Sequence, residues 1–388
     1  MRLAVYADFA YRRDADGALY ADEAFVLFMA ALKPATTRLV FVGRLEPEPG
    51  RGHYRIDPEI ELLGLPHYAD LAVAGPAVRG MAGALRRFWR LLDEVDAVWL
   101  LGPHPLTIAF AALGLLRRRR VVLGVRQHFP DYIRRRRPGR RDLLAAALVL
   151  EGAFRLLGRA VPVVAVGPEL ARGYVRGAPV LEASVSLVRA DALTTEGPRV
   201  PDADAGFTAL SVGRLDPEKN PVLLADILAR LRAGGSPWRL VVCGDGPSRC
   251  ALEQRLAELE VAEYVDLRGY VPVDAGLQEL YRTADALLHV SWTEGFPQVL
   301  VEAFGARLPV VATAVGGVPR VAGDAALLVA PGDADAAARA LERVVGDVAL
   351  RRRLADAGSA VARGQTLEAA SRRVADFIAG ASAPAARS

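Results

Sequence analysis

Ser291-Trp292-Thr293-Glu294-Gly295-Phe296-Pro297-Gln298-Val299-Leu300-Val301-Glu302-Ala303 decides how this chain is read. Asp285 to Val290 just before it is an apolar run of strand length, so the whole reads as strand, turn, helix. Gly295 permits a strained turn, and Pro297 suits the first helical position, where its missing N–H costs nothing. Val299, Leu300 and Ala303 then supply an apolar helix face. Glu294 falls on the loop at the carboxyl end of a strand. Glu302 lies inside the helix, about 7–8 Å further along its axis at roughly 1.5 Å per residue. Open α/β sheets bind ligands at strand carboxyl ends. Two acids flanking a helix N-terminus suit a ligand with hydroxyls at two places and negative charge between them, as in a sugar nucleotide. A glutamate pair on a solvated helix face is the ordinary alternative, and the neighbouring motifs weigh against it.

Upstream stands Val212-Gly213-Arg214-Leu215-Asp216-Pro217-Glu218-Lys219-Asn220-Pro221, between an expected strand Phe207–Val212 and an expected helix Val222–Leu231. Among 49 Lys+Arg residues only Lys33 and Lys219 are lysines, so a lysine kept in this loop is not generic surface charge. Lysine is a compact point charge suited to a diphosphate, and Arg214 offers a planar fork for the same oxygens. Downstream, Gly316-Gly317 in Thr313-Ala314-Val315-Gly316-Gly317-Val318-Pro319 follows a strand Pro309–Ala312 and would let backbone N–H groups approach an anion. Cys243-Gly244-Asp245-Gly246-Pro247 lacks the third glycine of a dinucleotide fingerprint, which argues against a nicotinamide cofactor.

These elements, with Leu267-Arg268-Gly269-Tyr270-Val271 between them, stand in an order that resembles the nucleotide-binding half of glycosyltransferase family 4, the retaining enzymes of the GT-B fold. The resemblance runs from about Ala209 to Val345. It implies an α/β architecture of two Rossmann-like doubly wound domains facing a central cleft. It also implies that Arg214 and Lys219, with Gly213, hold the diphosphate and stabilise the departing nucleoside diphosphate. Glu302 would accept hydrogen bonds from the ribose hydroxyls. Glu294, with Gly295, Phe296 and Pro297, would grip the donor sugar. Gly244, Gly246, Arg268, Gly269, Tyr270 and Val271 would border the nucleotide, and Gly316 and Gly317 the phosphates. Where the family often places an acid after Gly-Gly-Val-Pro, this chain has Arg320.

Glycosyl transfer needs charge stabilisation on the leaving diphosphate, which fixed cations can supply. The other glycosyltransferase fold uses a metal held by Asp-x-Asp. Three Asp-Ala-Asp triplets occur here, at Asp14/Asp16, Asp202/Asp204 and Asp333/Asp335, but none closes an apolar strand. They read as loops or helix starts. The expectation is therefore metal-independent transfer with no cofactor beyond the nucleoside-diphosphate sugar co-substrate.

A length of 388 residues and 52% hydrophobic content fit two α/β domains. The expected division is 1–190, an acceptor-binding Rossmann-like domain; 191–205, a linker; 206–365, the nucleotide-sugar domain; and 366–388, a helix crossing back to the first domain and a tail. The first half alternates strands (Leu3–Ala7, Arg38–Val42, Ala97–Leu101, Val121–Val125, Val161–Val166) with helices (Ala21–Leu32, Met81–Leu92, Leu106–Leu116, Leu143–Leu157). Two cysteines are too few for a disulfide framework. Asp8 and Arg12 interrupt any leader, and Gly102-Pro103-His104-Pro105 breaks the uncharged stretch Ala97–Leu116 that mimics a membrane span. The expected setting is cytoplasmic, with contact to the inner face of the membrane left open.

Residues 1–190 hold 28 basic and 19 acidic groups, net +9, while the rest hold 21 and 26, net −5. Much of the excess lies in Arg117–Arg120 and in Arg134–Arg141, read either as a surface for anionic lipid or an acidic acceptor, or as solvated arginine in an arginine-biased sequence. Nucleic-acid binding is disfavoured, since the basic runs lack interleaved aromatics. The usual glycine-rich loop after the first strand is replaced by Asp8-Phe9-Ala10-Tyr11-Arg12-Arg13-Asp14-Ala15-Asp16-Gly17, which leaves the acceptor (a sugar, lipid-linked glycan or small molecule) open. His128 follows a strand where the family often has a histidine near the reaction centre; a structural histidine is the alternative. Two other functions stay open: a sugar-nucleotide epimerase or hydrolase on the same fold, and a catalytically silent sugar-nucleotide-binding partner protein.

Overall fold

The computed structural model describes residues 1–67, 74–136 and 139–380. The chain divides into two compact units, one formed by Met1–Val185 with the chain from Glu368 onward, the other by Ser186–Leu367.

In the first unit the strands are β1 (Arg2–Arg13), β2 (Leu19–Ala21), β3 (Arg38–Leu45), β4 (Tyr54–Arg55), β5 (Glu61–Leu65), β6 (Ala97–Gly102), β7 (Arg120–Val125), β8 (Val163–Val166) and β9 (Val180–Ala183). Their parallel order is β5-β3-β1-β6-β7-β8-β9. Helices α1 (Phe25–Ala30), α2 (Ala74–Leu91), α3 (Pro105–Leu116), α4 (Phe129–Arg136), α5 (Arg141–Leu157) and α6 (Pro168–Arg172) connect them. Runs such as Leu3–Ala7 and Val121–Val125 are apolar throughout because helices cover both faces of the sheet.

The stretch Asp8–Gly17, expected as a loop, is a strand for six residues more. β1 continues to Arg13, and the chain turns back through Asp14 to pair β2 antiparallel, Tyr11 facing Ala21 and Arg13 facing Leu19. The register of β1 against β3 shifts between Tyr6 and Ala10, which bends the strand away from the sheet. Tyr11 is buried against Gly43, where a Cβ would lie 2.4 Å from its ring.

The second unit has β10 (Phe207–Val212), β11 (Trp238–Cys243), β12 (Val265–Gly269), β13 (Ala286–His289), β14 (Val310–Thr313) and β15 (Ala326–Val329), all parallel, in the order β12-β11-β10-β13-β14-β15. Helices α7 (Leu223–Ala233), α8 (Arg249–Glu258), α9 (Gln278–Thr283), α10 (Gln298–Gly305), α11 (Val318–Ala322), α12 (Ala334–Gly346) and α13 (Val348–Gly364) alternate with them. This is the doubly wound order of a dinucleotide-binding sheet, and it reverses between β10 and β13. The final helix, α14 (Leu367–Ala379), lies in the first unit, where Arg120 donates to the Phe377 carbonyl at 3.2 Å.

Residues 191–205, read as a linker, are held to the second unit. Thr194 N–H donates to the Gly305 carbonyl at 2.9 Å. Arg199 pairs with Asp285, which is fully buried ahead of β13 and also accepts from Thr208 N–H at 2.8 Å. Arg351 of α13 closes the cluster by donating to the carbonyls of Asp285 and Arg199 at 2.8 and 2.7 Å. A buried carboxylate keeps its charge only with such partners, and removing it strands the donors. Asp285→Ala is expected to lower the unfolding free energy of the second unit by about 3 kcal/mol, read from denaturant unfolding.

Candidate functional site

At the reversal point the loops after β10 and β13 meet in an open pocket of about 240 Å³. Gly213, Arg214 and Lys219 line it from the first loop; His289, Ser291, Glu294, Phe296 and Pro297 line it from the second. Lys219 ends a single 3-10 turn, Pro217–Lys219, terminated by Asn220 in the left-handed conformation at φ 51°. The two loops are joined where Trp292 N–H donates to the Glu218 carbonyl at 2.8 Å.

Glu294 is the centre of the pocket. It is 7% exposed, and its Oε1 accepts from Lys219 Nζ at 2.5 Å and from Ser291 Oγ at 2.8 Å, with His289 Nε2 at 3.0 Å. Burial opposes its charge, yet His289 and Lys219 outweigh this and hold the carboxyl down at about 2. Glu294 is therefore an anion at every physiological pH: an acceptor and an anchor for Lys219, and a poor proton shuttle. Arg214 is more exposed and is held by Asp216, with Glu218 Oε1 3.6 Å away.

The glycines brace this arrangement. Gly316, at φ +49°, has its Cβ position 1.9 Å from the Glu294 carbonyl oxygen, and that of Gly317 lies 2.1 Å from the Gly295 oxygen. Gly317 N–H donates to the Glu294 carbonyl at 3.0 Å. The pair thus carries the Glu294 loop, which corrects the expectation that both present N–H groups to an anion. A Cβ on Gly244 would lie 1.8 Å from the Gly213 carbonyl, and one on Gly246 would strike the Leu215 backbone at 2.7 Å, so these two let the loops after β10 and β11 press together. Gly213 itself, at φ +152°, faces open space. Gly295 also faces open space and has no positive φ, so the strained turn expected there does not form. Pro297 is the N-cap of α10, one residue ahead of its expected place. Among the described residues neither Gly295 nor Phe296 donates its N–H to a protein acceptor.

Glu302 lies on α10 but lines a different, small recess with Val188, Leu277 and Tyr281. Tyr281 donates to its Oε2 at 2.6 Å, and burial raises the carboxyl above its ordinary value despite that bond. The two glutamates thus flank α10 from separate recesses. Gly269 accepts from Gly244 N–H at 2.7 Å, joining the ends of β11 and β12. Arg268 pairs with Asp266 at 2.7 Å, Tyr270 is half exposed, and Val271 is partly buried. His128 is in the first unit, after β7, with Nδ1 2.7 Å from Asp131 and Arg155 at 3.4 Å from Nε2.

His289 and Ser291 were not singled out from the sequence. Their signal was there: both sit at the end of an apolar strand, five and three residues before Glu294. One carboxylate of each Asp-Ala-Asp triplet is spent locally, and Asp335 pairs with Arg230. Asp14 and Asp202 accept from their own turns, and Asp333 caps α12.

The profile of the family Glycosyl transferases group 1 matches residues 199–361. The match falls within the second unit, Ser186–Leu367. The chain is 34% identical over 206 residues to D-inositol 3-phosphate glycosyltransferase of Salinispora tropica, covering 50% of this chain and 41% of that protein. It is 34% identical over 110 residues to the phosphatidylinositol N-acetylglucosaminyltransferase GPI3 subunit of Saccharomyces cerevisiae, covering 28% and 24%. The chain thus spans well under half the length of these curated relatives. Its fold is GT-B, as in sucrose-phosphate synthase from Thermosynechococcus elongatus (TM-score 0.71, 18% identity, 98% of both chains). The Anabaena protein HepE in complex with UDP and glucose is similar too (TM-score 0.70, 17% identity, 98% and 99%).

A carboxyl held near 2 against an ordinary 4.5 stabilises the fold by an amount fully present above pH 4.5 and lost as pH falls towards 2. Glu294→Gln is expected to cost on the order of 3 kcal/mol at neutral pH. Its stability should also change less than that of the wild type across that acid window, as measured by denaturation at a series of pH values.

Proposed function

We propose that the chain is a metal-independent, retaining glycosyltransferase that moves a sugar from a nucleoside-diphosphate donor, UDP- or GDP-linked, to an acceptor hydroxyl. The observation that carries this reading is Lys219, partly buried at the reversal point beside an ionised Glu294 and lining an open pocket with Gly213 and Arg214. The relatives named above are glycosyltransferases, and one solved structure of the same fold holds UDP and glucose.

In this reading the diphosphate lies against Gly213, with Lys219 and Arg214 on its oxygens, and the N–H groups of Gly295 and Phe296 point towards the same anion or the sugar. Glu294 accepts from hydroxyls of the donor sugar while keeping Lys219 in place. When the bond from the anomeric carbon to the phosphate oxygen breaks, its electron pair goes to that oxygen. The two cations stabilise the developing charge, each worth a few kcal/mol when preorganised. A carboxyl held near 2 is too weak a base for the acceptor proton. The proton passes instead to the departing phosphate oxygen as the acceptor attacks from the same face, which retains configuration. Glu302 takes the ribose hydroxyls in exchange for its Tyr281 partner.

Calorimetric titration with UDP, GDP, ADP and dTDP, with and without EDTA, tests this. One diphosphate should bind, insensitive to EDTA, and Glu302→Ala should weaken it about tenfold, the worth of a hydrogen bond or two. Binding of none of the four, or binding abolished by EDTA, would contradict the reading. Lys219→Ala should bind the diphosphate but lower turnover at least a hundredfold, the scale of a lost preorganised donor.

A further inference from the structure

The outward face of α5 in the first unit is apolar where it should be polar. On a helix of 3.6 residues per turn, Arg141, Ala145, Val149, Gly152 and Leu156 fall on one stripe, with Leu148 beside it. All are exposed, Val149 at 74%, Leu156 at 65% and Leu148 at 50%. The opposite face of α5, Ala147, Glu151 and Phe154, is buried in the unit. Phe154 packs on Gly102, where a Cβ would lie 2.2 Å from the ring. A helix apolar on all sides is normally covered all round, and a contiguous exposed stripe of this kind marks a contact surface.

Its rim identifies what covers it. Residues 134–159 carry eight arginines and two acids, and one of those acids, Glu151, is buried. Arg140 and Arg141 stand at the start of the helix, and Arg155 near its end. The pairs that Arg140 and Arg155 make, with Asp142 at 2.6 Å and Glu151 at 3.0 Å, are partly exposed and therefore weak. Arg137, one of the eight, and Pro138 lie outside the described residues. An apolar stripe rimmed by arginine is the pattern of a helix lying in a bilayer interface, its aliphatic side chains among the acyl chains and its guanidinium groups at the phosphates. The net charge of +9 on residues 1–190 adds long-range attraction to the same surface. Two of the four arginines in the run 117–120 are otherwise engaged: Arg117 stacks on Trp89 at 3.8 Å and pairs with Asp93 at 2.6 Å, and Arg120 donates to the Phe377 carbonyl of α14. Among the described residues no helix is long and apolar enough to cross a membrane, so contact would be peripheral.

We propose that α5 docks the chain on anionic lipid, lying in the plane of the bilayer surface with Val149 and Leu156 inserted. The inference stands apart from the sugar-nucleotide reading. Sedimentation of the full chain with vesicles of phosphatidylcholine mixed with phosphatidylglycerol, against pure phosphatidylcholine, tests it. The chain should sediment with the mixed vesicles at least tenfold more tightly than with the neutral ones. V149S/L156S should lose about tenfold or more of that affinity, as two partly inserted aliphatic side chains imply. R140Q/R141Q should lose the preference for anionic lipid. Circular dichroism and thermal unfolding of each variant, matched to the wild type, confirm that both units stay folded. Three results would overturn the proposal. One is a wild-type chain that stays in the supernatant with both vesicle types. Another is equal sedimentation of V149S/L156S. The third is a wild-type dimer that V149S/L156S splits while neither binds vesicles, which would make a second copy of this chain the occupant.

Discussion

A carboxylate buried at the end of a parallel strand is costly unless cations and donors surround it, and Glu294 imposes that condition on the second unit. Lys219, Ser291 and His289 converge on one oxygen, and each arrives by a different constraint. Lys219 is delivered by the 3-10 turn after β10, which Asn220 ends in a conformation that few residues other than glycine tolerate. Ser291 is fixed by the buried bond from Thr313 Oγ1 to its carbonyl at 2.7 Å, which ties the end of β14 to the loop after β13. The carbonyl of Glu294 is gripped by Gly317 across a gap that only glycine fits. Three strand ends are therefore locked around one charge, and the pocket is what remains open between them.

The same logic explains why the site sits where it does. In each unit the strand order reverses once, between β1 and β6 in the first and between β10 and β13 in the second. At a reversal the connecting helices lie on opposite faces, and the loops part to leave a crevice. In the first unit that crevice is partly filled by its own residues. His104 caps α3, accepts from Leu106 N–H at 3.2 Å, and has Tyr6 Oη 2.9 Å from its Nδ1. Asp8 lies between His104 and Arg44. In the second unit the crevice is left open and faced with cations.

Much of this was legible in the sequence, for a physical reason. Parallel strands buried on both faces must be apolar runs, so Phe207–Val212 and Val121–Val125 announce themselves. The strand-end motifs could also be ordered along the chain, because glycine, lysine and glutamate there serve backbone geometry and charge rather than packing. Position-specific roles were less legible. Gly295 looked like the strained residue and Gly316–Gly317 like the anion cradle, yet the close approach is at Gly316 and Gly317. No local pattern reveals which of two loops must yield to the other. The extension of β1 was hidden because Asp8–Arg13 alternates weakly and its partner β2 is three residues long. The separation of Glu302 from Glu294 depends on which side of α10 each faces, set by the packing of α9 and Tyr281 rather than by their spacing.

Lysine is rare enough here to make the central claim directly observable. With only Lys33 and Lys219 in the chain, selective nitrogen-15 labelling of lysine side chains gives two signals, assigned by Lys219→Arg. Titration with UDP and GDP should shift the Lys219 signal as its ammonium, still held by Glu294, meets the diphosphate oxygens, while the Lys33 signal stays where it is. A diphosphate that binds without moving Lys219, or that moves Lys33 instead, would contradict the account.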